Sequence, residues 1–464
     1  MSKVRDLFVN KGRPAAEKLG SEPVKSLLIS MAIPSIVAML MQALYNTVDS
    51  MYVARISEGS FAAVTLAFPV QMIIGAMSTG IGVGINSSIA RHLGAGEKDE
   101  ACKAASNGIS LGLVAMAIMI IFGLFGSNAY MHLYTYDPEV ITAGTIYVRT
   151  ICILALGSIF TQISFSVLQG SGNMVVPMMS QLAGGACVIL LDPLFIFALK
   201  LGVLGAAIAS SLSQMIGMSI GFYGIFRTNH ENLPVTFKGF RPDLEIMKDI
   251  LAVGISAMLT QATTSIVSGI INKLIAVYGV AAISVFGGYG KVSSFGTLPI
   301  FGVTRGMNPI LGYSVGAQNR QRFLETRNLA YKLASIFSVL TAALFVFAPG
   351  VVLSMLSATP EMREIGMSAY RILGAPMALY GISIVSVQVF PPAKKSYISM
   401  TLTLMRQVGY MVPICTILSR VWGLTGIWTG YAAADIINFF VVIAANIWLR
   451  KKVLDKWDDE RNDK

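Results

Sequence analysis

The hydrophobic positions of this chain fall in long unbroken runs, not in the alternation of a half-buried strand or the narrow stripe of a soluble amphipathic helix. Crossing a hydrocarbon layer of ~30 Å takes ~20 apolar residues in a helix. Twelve runs of that size can be marked, each bounded by charges, Pro or Gly. They are 24–52, 61–90, 101–125, 139–168, 173–199 and 203–227, then 245–277, 281–313, 326–349, 361–390, 396–420 and 424–449. One such run could be a buried helix of a soluble protein. Twelve in series predict an all-α integral membrane protein of twelve transmembrane helices.

The runs also repeat. Ala38-Met39-Leu40-Met41-Gln42-Ala43 returns as Ala257-Met258-Leu259-Thr260-Gln261-Ala262, and Leu93-Gly94-Ala95 returns as Val315-Gly316-Ala317. Pro138-Glu139 with Arg149 returns as Pro360-Glu361 with Arg371, and Gly202 and Gly205 return as Gly423 and Gly426. Four matches in order at offsets of 219–222 residues indicate a duplication. Six helices per copy bring both copies in and out on the same side, so the repeats are parallel, related by an axis along the membrane normal. The predicted organisation is an N-terminal segment (1–23), an N-lobe (24–227), a polar linker (228–244), a C-lobe (245–449) and a tail (450–464) around a central cavity. A transporter is favoured by this layout, although a duplicated channel or membrane enzyme could share it.

Composition agrees: 54% of residues are hydrophobic and 13% charged, against roughly 25% charged in soluble proteins, and the mean hydropathy is +0.67. A net charge of +11 looks like a nucleic-acid signal until the charges are placed. Lys3, Arg5, Lys11, Arg13, Lys18, Lys25, Arg91, Lys98, Lys103, Arg227, Lys238, Arg241, Lys248, Arg320, Arg322, Arg327, Lys332, Lys394, Lys395 and the tail fall in alternate loops or at helix ends on one side. The other side has Arg55, Lys200, Arg363 and Arg420. That asymmetry is the positive-inside rule. It predicts both termini in the cytoplasm and the bilayer, not nucleic acid, as partner. No secretory leader is expected, and Cys102, Cys152, Cys187 and Cys415 are scattered without a CxxC pair, so neither a disulfide framework nor a metal site is indicated.

Charges at membrane depth are the chemistry candidates. A carboxylate inside a bilayer helix costs roughly 2.5–3.5 kcal/mol on insertion scales and usually faces a cavity or a partner. Asp49, in Tyr45-Asn46-Thr47-Val48-Asp49-Ser50, and Asp192, in Leu191-Asp192-Pro193-Leu194-Phe195, both lie in the outer third of their helices. Either could take up a proton or another cation. Asp49 can also be read as a cap at the water interface, and Asp192 as a packing hydrogen bond beside Pro193. Pro34, inside helix 1, is a hinge or a static kink. In the second half, Arg406 and Asp435 stand at similar depth and read as an ion pair. Lys273 and Arg305 lie nearer helix ends, where they can snorkel. Lys291 has no evident partner and could touch an anionic group. Gln42, Asn46 and Gln261 join Lys291, Arg305, Arg406 and Asp435 as candidate cavity residues. The 25 Met residues suit a repacking pocket but serve equally as core filler. No P-loop or HExxH spacing is present, and the Gly80-Ile81-Gly82-Val83-Gly84 string reads as close helix packing.

These residues resemble the multidrug and toxic compound extrusion (MATE) family from about 24 to 450. The resemblance is carried by Asn46-Thr47-Val48-Asp49, by Leu93-Gly94-Ala95-Gly96 and Val315-Gly316-Ala317, and by Leu191-Asp192-Pro193-Leu194-Phe195-Ile196-Phe197. Gly205-Ala206-Ala207-Ile208-Ala209 and Ala434-Asp435 add to it. It implies an antiporter exporting organic, lipophilic and cationic compounds in exchange for H+ or Na+, with no cofactor, working as a monomer in the plasma membrane. It also implies a coupling network at Tyr45, Asp49, Asp192 and Ser210, with Pro34 as the bending residue. Ser210 replaces a threonine there and keeps the hydroxyl; Val188 falls where an asparagine is common. Ser265 and Ser268 stand where other branches carry acids in helix 7, and Lys291 and Arg305 are unusual, so a different substrate charge is an open alternative. The rival readings are a lipid-linked sugar flippase of the same superfamily, which would show a cationic cavity through both lobes, and an integral enzyme or receptor. No catalytic constellation supports the latter.

Overall fold

Helix starts are set by side chains that satisfy the first free backbone N–H groups. Asp137 caps the helix that begins at Pro138, accepting from the Glu139 amide at 2.9 Å. Thr359 caps the one that begins at Pro360, accepting from the Met362 amide at 3.3 Å. These are the two copies of the repeated Pro-Glu pair. Asn319 caps the helix of Arg320, accepting from the Arg322 amide at 3.0 Å. Each cap is worth about 1 kcal/mol.

The computed structural model describes residues 15–53, 55–56, 58–228, 233–235 and 242–455, among which no strand occurs. After a short helix, Ala15–Ser21, come α1 (Val24–Val53), α2 (Glu58–Gly94) and α3 (Lys98–His132). Next are α4 (Pro138–Ile153 and Ala155–Gly170, bent by 41°), α5 (Val175–Ala198) and α6 (Gly202–Arg227). The second series is α7 (Leu244–Ala276), α8 (Val280–Gly316), α9 (Arg320–Phe347) and α10 (Pro360–Gly374 and Met377–Gln388, bent by 45°). A helical run Ser396–Lys452 follows, broken by non-helical backbone at Trp422 and Gly423 into α11 (396–421) and α12 (424–452). The chain is thus an all-helical membrane protein with twelve transmembrane helices. The apolar run of α8 is interrupted by glycine, serine, Lys291 and Arg305. Much of the predicted N-terminal segment, linker and tail, including Lys3, Arg5, Lys11, Arg13, Lys238 and Arg241, lies outside the described residues.

The duplication recurs in the turns. Left-handed backbone occurs at Gly96 (φ 81°) and Gln318 (φ 49°), at Gly172 (φ 89°) and Lys394 (φ 59°), and at Gly202 (φ 54°) and Gly423 (φ 58°). The partners of each pair stand 221 or 222 positions apart, and the bends of α4 and α10 are likewise in register. Gly205 lets the backbone approach the Phe195 carbonyl, where a Cβ would stand at 2.6 Å, and Gly426 does the same against the Leu418 carbonyl. The repeated Gly-x-x-Gly therefore makes a tight turn and then a close helix contact.

Two compact units result. The first gathers residues 37–258, and the second gathers 23–36 with the residues from 259 onward. α1 and α7 are thus each shared, their starts belonging to one unit and their remainders to the other. In the first unit, the start of α7 packs on Gly80 and Gly84 of α2. A Cβ at Gly80 would meet the Gly254 carbonyl at 2.7 Å, and one at Gly84 would strike the Ile250 backbone. In the second unit, the start of α1 packs on Gly302 and Gly306 of α8, where a Cβ would meet Ile36 N and Ala32 N at 2.9 Å. A polar clamp also holds α7 in the first unit. Arg91, 4% exposed, donates to Asp249 and, at 2.6 Å, to the Ser87 hydroxyl. Asn107 Oδ1 accepts from the Asp243 amide at 2.9 Å. The core of the second unit joins Val267, Ile271 and Ile275 of α7 to Val285 and Tyr289 of α8, Tyr370 of α10 and Trp428 of α12.

Candidate functional site

In the first unit, α1 brings Gln42, Tyr45, Asn46 and Asp49 onto one face by their i, i+3, i+4, i+7 spacing. α5 approaches that face because it is bare at Gly185, where a Cβ would lie 2.7 Å from Met41 and 3.1 Å from the Tyr45 ring. The approach sets Gln181 Nε2 3.4 Å from the Tyr45 hydroxyl, to which it donates. Further along, Tyr52 meets Phe197 edge-on at 6.3 Å, and Val53 packs with Ile196 and Ala206. The ends of α1 and α5 and the start of α6 are thereby pinned together around the polar groups between them.

Those groups are Asp49 and Asp192, which face each other, and Ser210 of α6 beside Asp49. Asp192 is fully buried. Among the described residues, both its oxygens and Asp49 Oδ1 lack a donor at hydrogen-bonding geometry. Val188, one turn earlier and also buried, supplies none. Pro193 cannot continue the α-helical hydrogen bonding, and Leu194–Ala198 closes as a π-turn, with the Leu199 amide donating to the Leu194 carbonyl at 2.9 Å. Tyr147 of α4, buried in the same unit, is held by Gln71 of α2, whose Nε2 donates to its hydroxyl at 2.6 Å. Among the described residues, the two acids share a site with hydroxyls and amides but no arginine or lysine. Removing such charges from water unpaired is costly, and a proton or small cation between them removes the cost. The sequence pattern did not single out Gln71, Tyr147 or Gln181. Each is a polar residue within a membrane-spanning helix, which is the signal that could have found them.

Pro34 lies in the part of α1 that belongs to the second unit, three residues before the division, within a continuous helix. In that unit, Arg406 Nε and Asp435 Oδ1 bond at 2.8 Å, with the Arg406 guanidinium 5.4 Å from the centre of the Tyr380 ring. Arg406 and Gln407 sit in another π-turn, Met405–Met411, and Gln407 Nε2 donates to Thr264 of α7 at 2.7 Å. Gln261 and Lys291 are exposed, and Arg305 is half-buried. Neither cation meets an acidic side chain among the described residues. No group of three or more His, Cys, Asp or Glu able to hold a metal ion occurs among them either.

The chain belongs to the MATE family: the MatE family profile matches residues 34–194 and 256–417, two copies in the register of the internal repeat. The multidrug export protein MepA of Staphylococcus aureus (strain NCTC 8325 / PS 47) is 23% identical over 410 residues, 87% of this chain and 89% of its own. A transporter of the MOP superfamily from Pyrococcus furiosus Vc1 (DSM3638) is 27% identical with a TM-score of 0.88, covering 96% of this chain and all of that one. Its binding pocket is described as reversed in polarity, suggesting a different function. A MATE protein in the bent conformation is similar at 27% identity and a TM-score of 0.89, over 96% of this chain and 99% of that one. The protein is a multi-pass membrane transporter of the multidrug-efflux MATE class.

Proposed function

We propose that the chain is a secondary active antiporter that exports organic compounds in exchange for protons or sodium ions. The observation that carries the reading is the facing pair of half-buried Asp49 and fully buried Asp192, with Tyr45 and Ser210 nearby and, among the described residues, no cationic side chain to neutralise it. With the pair ionised, the transporter holds substrate. A cation entering from outside neutralises the pair, α1 bends near Pro34, and the substrate is released outward. Coupling of this kind requires ion and substrate to have different affinities for the two states. One charge crossing 100 mV supplies about 2.3 kcal/mol, enough with a modest ion gradient to concentrate substrate. The two lobes, 24–227 and 245–449, alternate access to a central cavity. The protein sits as a monomer in the plasma membrane with both termini cytoplasmic, a placement supported by the basic loops. It uses no cofactor.

The bent conformation known for a related MATE protein supports a cycle with a bending step. A lipid-linked sugar flippase is disfavoured by the acidic character of the first unit's site. The lipophilic-cation expectation rests on the family resemblance, and the charges of the second unit bear on it separately. The test is reconstitution of wild type and Asp49→Asn into liposomes, following ethidium and 6-carboxyfluorescein under an imposed pH or sodium gradient. Gradient-driven movement by wild type, lost in Asp49→Asn, is the expected result, and the effective gradient names the ion. Equal movement with and without a gradient would overturn antiport.

A further inference from the structure

On α8, Ala282, Val285, Tyr289, Val303 and Met307 are buried and define one face. At 3.6 residues per turn, Gly287, Gly290, Lys291, Ser294 and Arg305 lie on the opposite face, within an arc of about 100°. The first four are exposed, and Arg305 is half-buried. A Cβ added at Gly287 or Gly290 would meet nothing within 4 Å, so the approach to Lys291 is cleared of side chains.

α7 is divided the same way. Val267, Ile271 and Ile275 enter the core. On one flank Leu259, Ile266 and Ile270 are exposed and apolar, suited to lipid. On the other flank Gln261, Ser265, Ser268 and Asn272 are exposed and polar. A bilayer helix that shows lipid one flank and polar groups the other lines a watered surface with the second. Charge completes the picture. Asp435 is already taken by Arg406, which leaves Lys291 and Arg305 without an acidic partner among the described residues. A cation held at membrane depth this way calls for an anion from outside the protein.

We propose that this face of α8 binds the anionic group, a carboxylate or a phosphate, of an amphipathic organic substrate. Lys291 makes the contact, and the bare glycines admit the bulk of the molecule. Arg305, fourteen residues and roughly 21 Å further along the helix, is too far to share the same group and forms a second station on the same track. The substrate class inferred here rests on the transport reading above, but binding can be measured without transport.

The experiment is equilibrium dialysis of the full chain in nanodiscs with two anionic probes, 6-carboxyfluorescein and 4-methylumbelliferyl phosphate, and with ethidium as the cationic one. Wild type should bind at least one anionic probe, and which one separates carboxylate from phosphate recognition. Lys291→Gln should weaken that binding about tenfold or more, the size of one charge-assisted contact. Lys291→Arg should stay within about threefold of wild type. Ethidium binding should not weaken in Lys291→Gln. Lys291 is exposed, and gel filtration and melting establish that the variants are folded. Folded wild type that binds neither anion, or Lys291→Gln that binds them as tightly as wild type, overturns the proposal. Anion binding without gradient-driven movement instead overturns antiport and leaves this site standing.

Discussion

Asp192 and Asp435 are both aspartates buried in apolar helices, and their surroundings make opposite demands. Asp435 neutralises Arg406 at 2.8 Å, so Asp435→Asn leaves a guanidinium buried without its counter-charge. Breaking a buried pair from one side costs about 3–5 kcal/mol, whereas replacing both partners by apolar residues is often neutral. Asp435→Asn should therefore melt well below wild type, and Arg406→Met with Asp435→Leu should recover most of the loss. Asp192 has no cation to abandon. Asp192→Asn removes an uncompensated buried acid and should melt at or above the wild-type temperature while losing gradient-driven transport. Equal destabilisation by both single substitutions would show that Asp192 has a structural role. The sequence carried these roles unevenly. Arg406 and Asp435 were readable as partners from matched depth on consecutive helices. Asp49 and Asp192 were readable as candidates, but Tyr147 and Gln71 were not, since their bond joins residues 76 positions apart.

At the scale of the helix, glycine position decides which contacts form. Gly84 and Gly306 are equivalent in the repeat, and each lies against backbone: Ile250 for the first, Ala32 for the second. A carbonyl or amide of a helix cannot swing aside as a side-chain end can. Gly84→Leu and Gly306→Leu should each cost at least the 1–3 kcal/mol typical of overpacking. Gly75→Leu on α2, where a Cβ meets nothing within 4 Å, should stay within about 0.5 kcal/mol. Melting of the three variants in one detergent decides the matter, and a Gly75→Leu loss as large as that of Gly84→Leu would refute the packing account. The glycine strings were legible as close packing. Their partners were not, because periodicity says which face of a helix is bare and not which neighbour arrives there. Turn chemistry adds a second test. Gln318 holds φ 49° where the first copy has Gly96, so Gln318→Gly should stabilise by up to about 1 kcal/mol and Gly96→Ala should destabilise by about 1–2 kcal/mol, again read as shifts in melting temperature.

Over the whole molecule, the duplication was the most legible feature, because helix starts such as Pro138 and Pro360 and close helix contacts such as Gly205 and Gly426 leave matching letters in both copies. The sharing of α1 and α7 between units left no such mark, since an apolar helix reads alike whichever neighbours it packs on. Nor are the copies equal. The start of α7 is held by Arg91, Ser87 and Asp249 as well as by glycine packing. In the second copy the positions of Arg91 and Asp249 are taken by Tyr313 and Leu27, so the ion pair that holds the start of α7 has no counterpart at those positions for the start of α1. Arg91 is nearly inaccessible while the Asp249 side chain is 30% exposed, which puts the expected cost of Arg91→Ala at about 1–3 kcal/mol, below that of a fully buried pair. Each 1.4 kcal/mol is a factor of ten in an opening equilibrium. Amide hydrogen exchange across 244–258 should therefore quicken by roughly five- to a hundredfold in Arg91→Ala, if local opening governs exchange there. Exchange across 24–36, which packs in the other unit, should not change. Arg91→Asp combined with Asp249→Arg should restore part of the protection in 244–258, because the pair is re-formed with its charges exchanged. Faster exchange in both segments alike would mean that Arg91 stabilises the fold as a whole and that the clamp is not local to α7.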